Sequence, residues 1–358
     1  MDINSAPVIV PPPAPGSRAV TGPAKPRVAF FGTGWIGQSR LRSVVEADTA
    51  DIVAIADTDP DCLANAAEIV PSCERLTTLE QILALKPDGV VIATPSAMHC
   101  DQTIQALENG TAVFCQKPMG LNERETRAAI NAARRADRLL SVDFSYRQTS
   151  GLKSIRKIIE SGELGRIFSA ELAFHNAYGP DKQWYFQREL AGGGCMTDLG
   201  VHLIDAALWC LDAPEVIAVS GQLYRQGVAI AGGADESEDF ATAEMLVGDN
   251  VNVRIACSWN AHAGQDAQIS ARFWGTRGAV QWENVGGSFY NFALSHCEQT
   301  RRLLLSAPEE QWGGGAINAW VRQLQADKCF DPEIEEAVMV SLVLDRIYRR
   351  PVTASKIY

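Results

Sequence analysis

Arg27-Val28-Ala29-Phe30-Phe31-Gly32-Thr33-Gly34-Trp35-Ile36-Gly37, with Asp57 twenty residues beyond, decides the fold of the first third of the chain. The apolar run Val28 to Phe31 reads as a buried strand, Gly32 to Gly37 as a G-x-G-x-x-G turn, and Ile36 to Ala47 as a helix. Glycines allow the tight turn and let the backbone approach a pyrophosphate, whose charge the N–H groups and dipole of a helix N-terminus favour. Asp57 closes the next apolar run, Asp51 to Ala56, where a carboxylate is placed to bond the hydroxyls of an adenosine ribose. Gly32, Thr33, Gly34, Trp35, Ile36, Gly37 and Asp57 are thus candidate cofactor-binding residues. An acid repels a 2′-phosphate and no Arg follows it directly, so NAD is expected and NADP is the lesser candidate.

Outward from this unit the same grammar continues. Strands Gly89 to Ala93, Ala112 to Cys115 and Leu139 to Asp143 alternate with helices Asp59 to Ile69, Leu79 to Leu85, Met98 to Asn109 and Glu123 to Ala136. Strands apolar throughout, separated by helices, predict a parallel sheet covered on both faces. After Tyr146 the pattern changes. A helix over Gly151 to Glu160, an alternating strand over Ile167 to His175 and a helix over Asp198 to Cys210 lead into strand-like runs at Phe240 to Val247, Val251 to Trp259, Ala267 to Trp274 and Ala279 to Glu283. Consecutive strands predict an antiparallel or mixed sheet. Helices over Ala316 to Lys328 and Pro332 to Tyr348 close the chain. At 358 residues two domains are the natural division. We expect a Pro-rich arm over 1–26, flexible or packed on a neighbouring subunit, a dinucleotide domain over 27–145 and a second domain over 146–358.

Composition excludes several classes. A net charge of -11 leaves no basic footprint for nucleic acid or an anionic membrane. No apolar run reaches the ~18 residues of a membrane span, and the N-terminal 26 residues lack the cationic and apolar regions of a signal peptide. Nine cysteines, an odd number without CxxC pairs, argue against a disulfide framework or a metal site and for the cytoplasm.

The chemistry concentrates in Gly192-Gly193-Gly194-Cys195-Met196-Thr197-Asp198-Leu199-Gly200-Val201-His202. On a helix starting near Met196, Asp198 and His202 stand at i and i+4 on one face, with Asp205 a turn further along. A carboxylate beside an imidazole suits proton transfer, although such a pair also forms plain surface or core contacts. Ala93-Thr94-Pro95-Ser96-Ala97-Met98-His99 and Gln116-Lys117-Pro118 each follow a strand, at the sheet edge where ligands bind. For Thr94 and Pro95 a cofactor contact competes with a simple strand-to-helix connection. For Lys117 stabilisation of a developing alkoxide competes with a solvated loop lysine. His175, Asn176, Tyr178, Asp181, Trp184 and Tyr185 fit substrate walls or ordinary loop structure equally well.

In this order, the GTGWIG loop, ATPSAMH, QKP, Tyr146-Arg147 and GGGCMTDLGVHLID resemble the glucose-fructose oxidoreductase / inositol 2-dehydrogenase / MocA family, from about Arg27 to the C-terminus. The resemblance implies an α/β Rossmann N-terminal domain plus an α+β C-terminal domain with a large open sheet that mediates dimers or tetramers. It implies oxidation of a ring hydroxyl of a sugar, inositol or related polyol, or reduction of the ketone, with NAD or NADP. It makes Lys117, Asp198 and His202 the catalytic and substrate-contacting residues, with His202 as acid/base and Asp198 positioning substrate and imidazole. It places Thr94, His99 and Gln116 near the cofactor and Arg147 near its nicotinamide end. Where the family has Glu, this chain has Gln116; an amide still bonds a ribose hydroxyl, and loss of the anion would favour a lower Lys117 pKa. Two other readings remain: a reductase of a keto-sugar, imine or tetrapyrrole, and a non-catalytic cofactor sensor.

Overall fold

The computed structural model describes residues 24–231, 236–307 and 313–349, so nearly all of the expected Pro-rich arm lies outside the described residues. Strands β1 (Arg27–Phe31), β2 (Asp51–Ala56), β3 (Glu74–Leu76), β4 (Gly89–Ile92), β5 (Ala112–Cys115) and β6 (Leu140–Val142) form one sheet in the order 3-2-1-4-5-6, every pair parallel. Helices cover both faces, which is why β4 and β5 are buried at every residue. β3 carries only three residues, two of them charged, too few for a periodicity to announce.

Register decides what this sheet presents. Phe31 lies beside Ala56 and Ile92, Ile92 beside Cys115, and Cys115 beside Val142. The residues that follow in each strand, Gly32, Asp57, Ala93, Gln116 and Asp143, therefore stand along one edge. Four of these five are polar or glycine, and Ala93 is followed by Thr94, so the connections deliver such residues to the carboxyl ends, where ligands bind in such sheets.

The second sheet has nine strands: β7 (Ile167–Asn176), β8 (Val216–Arg225), β9 (Val228–Ile230), β10 (Phe240–Val247), β11 (Val251–Ser258), β12 (Ala267–Gly275), β13 (Ala279–Asn284), β14 (Phe292–Glu298) and β15 (Arg301–Ser306). Their order is 15-14-13-12-7-11-10-8-9, antiparallel throughout except for β7 beside β11. Alternation along β7 sends Leu172 and Phe174 into the core and leaves Glu171 and His175 less covered. Helices Ser150–Glu160, Val201–Cys210 and Ala337–Ile347 contribute Leu152, Ile204 and Val343 to that core, on one face of the sheet. The opposite face is an open concavity of about 620 Å³ lined by Glu171, Gln222, Glu244, Arg254 and Arg272 among others.

Two expectations from the sequence need correction. The segment expected as one helix from Asp198 begins as a π-helical turn, Met196–Gly200, and becomes α-helical only over Val201–Cys210. The helix expected near the C-terminus, found at Gly315–Ala326, returns to the first sheet, where Trp320 is 2% exposed and its ring centroid lies 5.6 Å from that of Phe114. Gly89 makes room for it, since a Cβ there would stand 2.6 Å from Trp320.

Candidate active site

The glycine loop is tight on two sides and open on one. A Cβ on Gly32 would meet Ala93 backbone at 2.4 Å, and one on Gly37 would meet the Gly32 carbonyl oxygen at 2.1 Å, whereas one on Gly34 would meet nothing within 4 Å among the described residues. Gly32 also has φ of 91°, open to glycine and strained for other residues. The open space over Gly34, at the N-terminus of helix Trp35–Ala47, is the cradle a pyrophosphate needs. Asp57 reaches back to this loop, accepting from Thr33 N at 2.6 Å, Thr33 Oγ1 at 3.1 Å and Asp59 N at 2.9 Å. Trp35, 74% exposed, stands at the mouth.

Across the edge, the Lys117 ammonium donates to the Asp198 carbonyl at 2.8 Å and to Asp198 Oδ1 at 2.9 Å. The other carboxylate oxygen, Oδ2, accepts from Trp259 Nε1 at 3.1 Å. Both oxygens of Asp198 are thus engaged, and the expected grip of Asp198 on the imidazole is replaced by a grip on Lys117. His202 instead packs edge-on against Tyr146, ring centroids 5.0 Å apart at 68°. Its Nδ1 is buried without a hydrogen-bond partner among the described residues. Burial, then the charges of Lys117 and Arg40, hold its pKa well below the ordinary histidine range. A neutral imidazole beside an ammonium can accept a proton from a hydroxyl that the ammonium polarises.

The Gly-rich turn owes its shape to Glu238, a residue the sequence reading passed over. Its buried carboxylate accepts from Gly194 N at 3.0 Å, Met196 N at 2.9 Å and the Tyr348 hydroxyl at 2.6 Å, while its carbonyl accepts from Cys195 N at 3.0 Å. A Cβ on Gly194 would lie 1.9 Å from the Glu238 carbonyl oxygen. The anion therefore caps the N-terminal turn that carries Asp198 and His202, a favourable place for negative charge. Glu238 lies 40 residues downstream of Asp198, and no spacing in the sequence links them.

Several sequence-derived candidates sit elsewhere. His99 is 1% exposed, its Nδ1 2.7 Å from the Pro118 carbonyl oxygen and its Nε2 2.7 Å from that of Thr94. It ties two edge turns together from beneath and presents no surface to a cofactor. Thr94 Oγ1 donates to Gln102 at 2.5 Å, and Pro95 opens the short turn Ser96–Met98. Arg147 is bound to Asp205, with Nη2 to Oδ1 at 2.6 Å, and to Glu336 at 2.9 Å, and its guanidinium lies over Phe144. Its guanidinium is thus engaged in an ion pair between elements, and Asp205 is spent on it. His175 points to the sheet face away from the helices, stacks on Phe240 and bonds Ser258 Oγ at 2.7 Å. A strand alternates its side chains, so Phe174 meets Tyr146 while His175 turns away from the site. Tyr178 and Trp184 lie on the segment between β7 and the Gly-rich turn, Trp184 stacked on Tyr185 at 3.9 Å.

Gln116 is 5% exposed and its amide donates to Asp143 Oδ2 at 2.5 Å; Arg40 Nε donates to the same oxygen at 2.6 Å. The amide nitrogen is thus committed to a neighbouring carboxylate. Nor is Lys117 left without an anion, since Asp198 supplies one.

A glycine cradle on one edge and the helix of Asp198 and His202 facing it, joined by Lys117, accompany a match to an NAD-binding oxidoreductase family. The chain belongs to the GFO/IDH/MocA family: residues 26–144 match the family's NAD-binding Rossmann fold and residues 152–281 its C-terminal domain. Among relatives, it is 28% identical over 206 residues to D-glucoside 3-dehydrogenase of Escherichia coli (strain K12), covering 56% of this chain and 58% of that protein. It is 28% identical over 260 residues to inositol 2-dehydrogenase of Rhizobium meliloti (strain 1021), covering 72% and 76%. Levoglucosan dehydrogenase in complex with NADH shares the fold at a TM-score of 0.77 and 21% identity, over 91% of this chain and 96% of that one. A 3-ketoreductase from Actinomadura kijaniata with NADP does so at 0.78 and 17%, over 91% and 97%.

Proposed function

We propose that this protein oxidises a ring hydroxyl of a sugar, inositol or related polyol, or reduces the corresponding ketone, using NAD. The observation that carries the reading is the pair of bonds from Lys117, on the dinucleotide edge, to Asp198, one turn before His202. NAD, when bound, supplies the hydride acceptor, held by Gly32, Gly34 and Gly37 with Asp57 at the ribose. Lys117 then lowers the cost of negative charge on the substrate oxygen. His202 accepts the hydroxyl proton, and Asp198 holds the ammonium in place with Trp259 behind it. Relatives named for a glucoside, an inositol and levoglucosan support the substrate class.

In this reading 27–145, with the helix Gly315–Ala326 packed on it, and the rest of 146–358 act as two domains meeting at the Lys117–Asp198 seam, and the open face of the nine-stranded sheet pairs copies into a dimer or tetramer. Nine free cysteines support a cytoplasmic setting. No helix among the described residues is long and apolar enough to cross a membrane. The test is turnover of a panel of inositols, sugars and their ketones with NAD and NADP. Cofactor binding without turnover in either direction would show a sensor instead.

A further inference from the structure

We propose that Trp259 is a positioning residue for the proton transfer: its indole N–H holds the Asp198 carboxylate on Lys117 and away from His202, so the imidazole works without an acid partner. The proposal rests on the oxidoreductase reading above and concerns the same site. Asp198 and His202 stand four residues apart, the spacing at which an acid and an imidazole on one helix face each other. Among the described residues no hydrogen bond joins them. Lys117 takes Oδ1 and the carbonyl of Asp198, Trp259 takes Oδ2 at 3.1 Å, and His202 Nδ1 is buried without a hydrogen-bond partner.

Trp259 can impose this choice because it is fixed on several sides. It directly follows β11, is 3% exposed, and its backbone N–H donates to the Asp239 carbonyl at 2.8 Å. Tyr185 and Phe186 meet the indole edge-on, with ring centroids 6.4 and 5.7 Å away. A buried indole N–H needs an acceptor, and here the acceptor is the acid of the site.

His202 faces the other way. With Tyr146, Leu152, Leu172, Phe174 and Trp282 it lines a narrow void in which Tyr146 is the one other titratable side chain. On the elements around this helix, Arg147 and Asp205 hold each other, Tyr348 holds Glu238, the Cys257 thiol lies on Cys195, and His175 points to the opposite side of the sheet. Lys117 and Arg40 supply the remaining charges, both positive. Protonation would fix a hydrogen on the unpartnered Nδ1 and bury a charge, so the ring stays neutral, as a base must before it takes a proton. Deleting the indole donor reverses the choice. Oδ2 then lacks a donor in a shielded site, and a protonated His202 offers one a turn along, which stabilises the imidazolium.

The experiment follows the His202 ring by NMR against pH in the full chain with nitrogen-labelled histidine, assigned through His202→Gln. Trp259→Phe keeps a ring and removes the donor; where its melting curve shows a damaged fold, benzothienylalanine at position 259, an isostere of the indole without the N–H, takes its place. The His202 midpoint is expected to rise by about one pH unit or more, the scale of one new charged partner. Adding Asp198→Asn to the same variant should bring it back down. The acid limb of kcat/KM should rise together with the midpoint. A midpoint that stays in place once the donor is gone shows a Trp259 that only packs, and a rise that persists without the Asp198 carboxylate has another cause; either result overturns the proposal. The ring titration needs no substrate, and turnover of the panel decides the oxidoreductase reading, so each can fail while the other stands.

Discussion

Lys117 Nζ sits 2.8 Å from the carbonyl oxygen and 2.9 Å from the carboxylate of Asp198, joining the edge of one sheet to the helix that packs on the other. Their side chains are 17% and 18% exposed, so the pair is shielded but still reached from the cleft. Lys117→Ala is expected to lower kcat by about 10²–10³, the scale of losing one charge-stabilising donor. The Kd for NAD, read by fluorescence titration, should change by less than about threefold, because Gly34 and Asp57 are untouched. A kcat within twofold of the native value would remove Lys117 from the chemistry.

With His202 as the proposed base, its low pKa is expected to set the pH behaviour of oxidation. Burial and the charges of Lys117 and Arg40 disfavour the imidazolium, so the base is neutral through the range where an ordinary imidazole, near 6.5, takes its proton. The acid limb of the kcat/KM profile should therefore lie well below pH 6.5, with activity lost only as pH falls through the depressed value. Lys117→Met deletes one of the two charges, and the ring titration of His202, followed by NMR, should move upward. A downward or absent movement contradicts the coupling.

The Gln116 amide donates to an acid, Asp143. Gln116→Glu places a second carboxylate about where an N–H donated to Asp143 at 2.5 Å, with Arg40 alone to compensate. A loss of roughly 1–3 kcal/mol is expected at neutral pH, visible as a Tm several degrees lower. The double variant Gln116→Glu/Asp143→Asn should recover most of it. Failure of the second change to rescue the first would show that the two sites are not coupled.

The glycines separate folding from binding. Gly37→Ala drives a methyl to 2.1 Å from the Gly32 carbonyl oxygen and should destabilise the protein itself. Gly34→Ala meets no atom within 4 Å and should leave Tm nearly unchanged while weakening NAD at least tenfold. Melting curves and NAD titrations of both variants check the contrast. Tight NAD binding by Gly34→Ala would move the pyrophosphate elsewhere.

Glu238→Ala leaves Gly194 N, Met196 N and the Tyr348 hydroxyl without their acceptor in a buried turn. The cost should be about 2–4 kcal/mol, measured by urea unfolding, with kcat reduced because Asp198 and His202 ride on that turn. Tyr348→Phe removes one of these bonds and should cost about 1 kcal/mol.

Much of the fold was legible because its signals are local. Five of the six strands of the first sheet are short apolar runs followed by turns, and the helix between β1 and β2 begins at the glycine loop. β3, with three residues, carries no such pattern. In the site, Lys117, Asp198 and His202 lie in motifs with their own spacing, and the structure brings Lys117 to Asp198 directly. Trp259, Glu238, Arg40 and Asp143 were missed because each acts through a partner at least 27 residues away in sequence. His99 and Arg147 are polar residues at the right edge of the motifs, but only burial and partners show that they brace the site.

By itself the sequence determined the dinucleotide half: strand, glycine turn, helix and acid are contiguous, and their conformations follow from backbone sterics and apolar periodicity. It also determined that an acid and an imidazole ride together on one short segment. Tertiary structure decided what those groups do. Folding set Lys117 against Asp198 and Trp259, turned His175 away, spent Asp205 on Arg147 and dried the surroundings of His202. Charge interactions and desolvation depend on separation in space, and separation along the chain does not encode it.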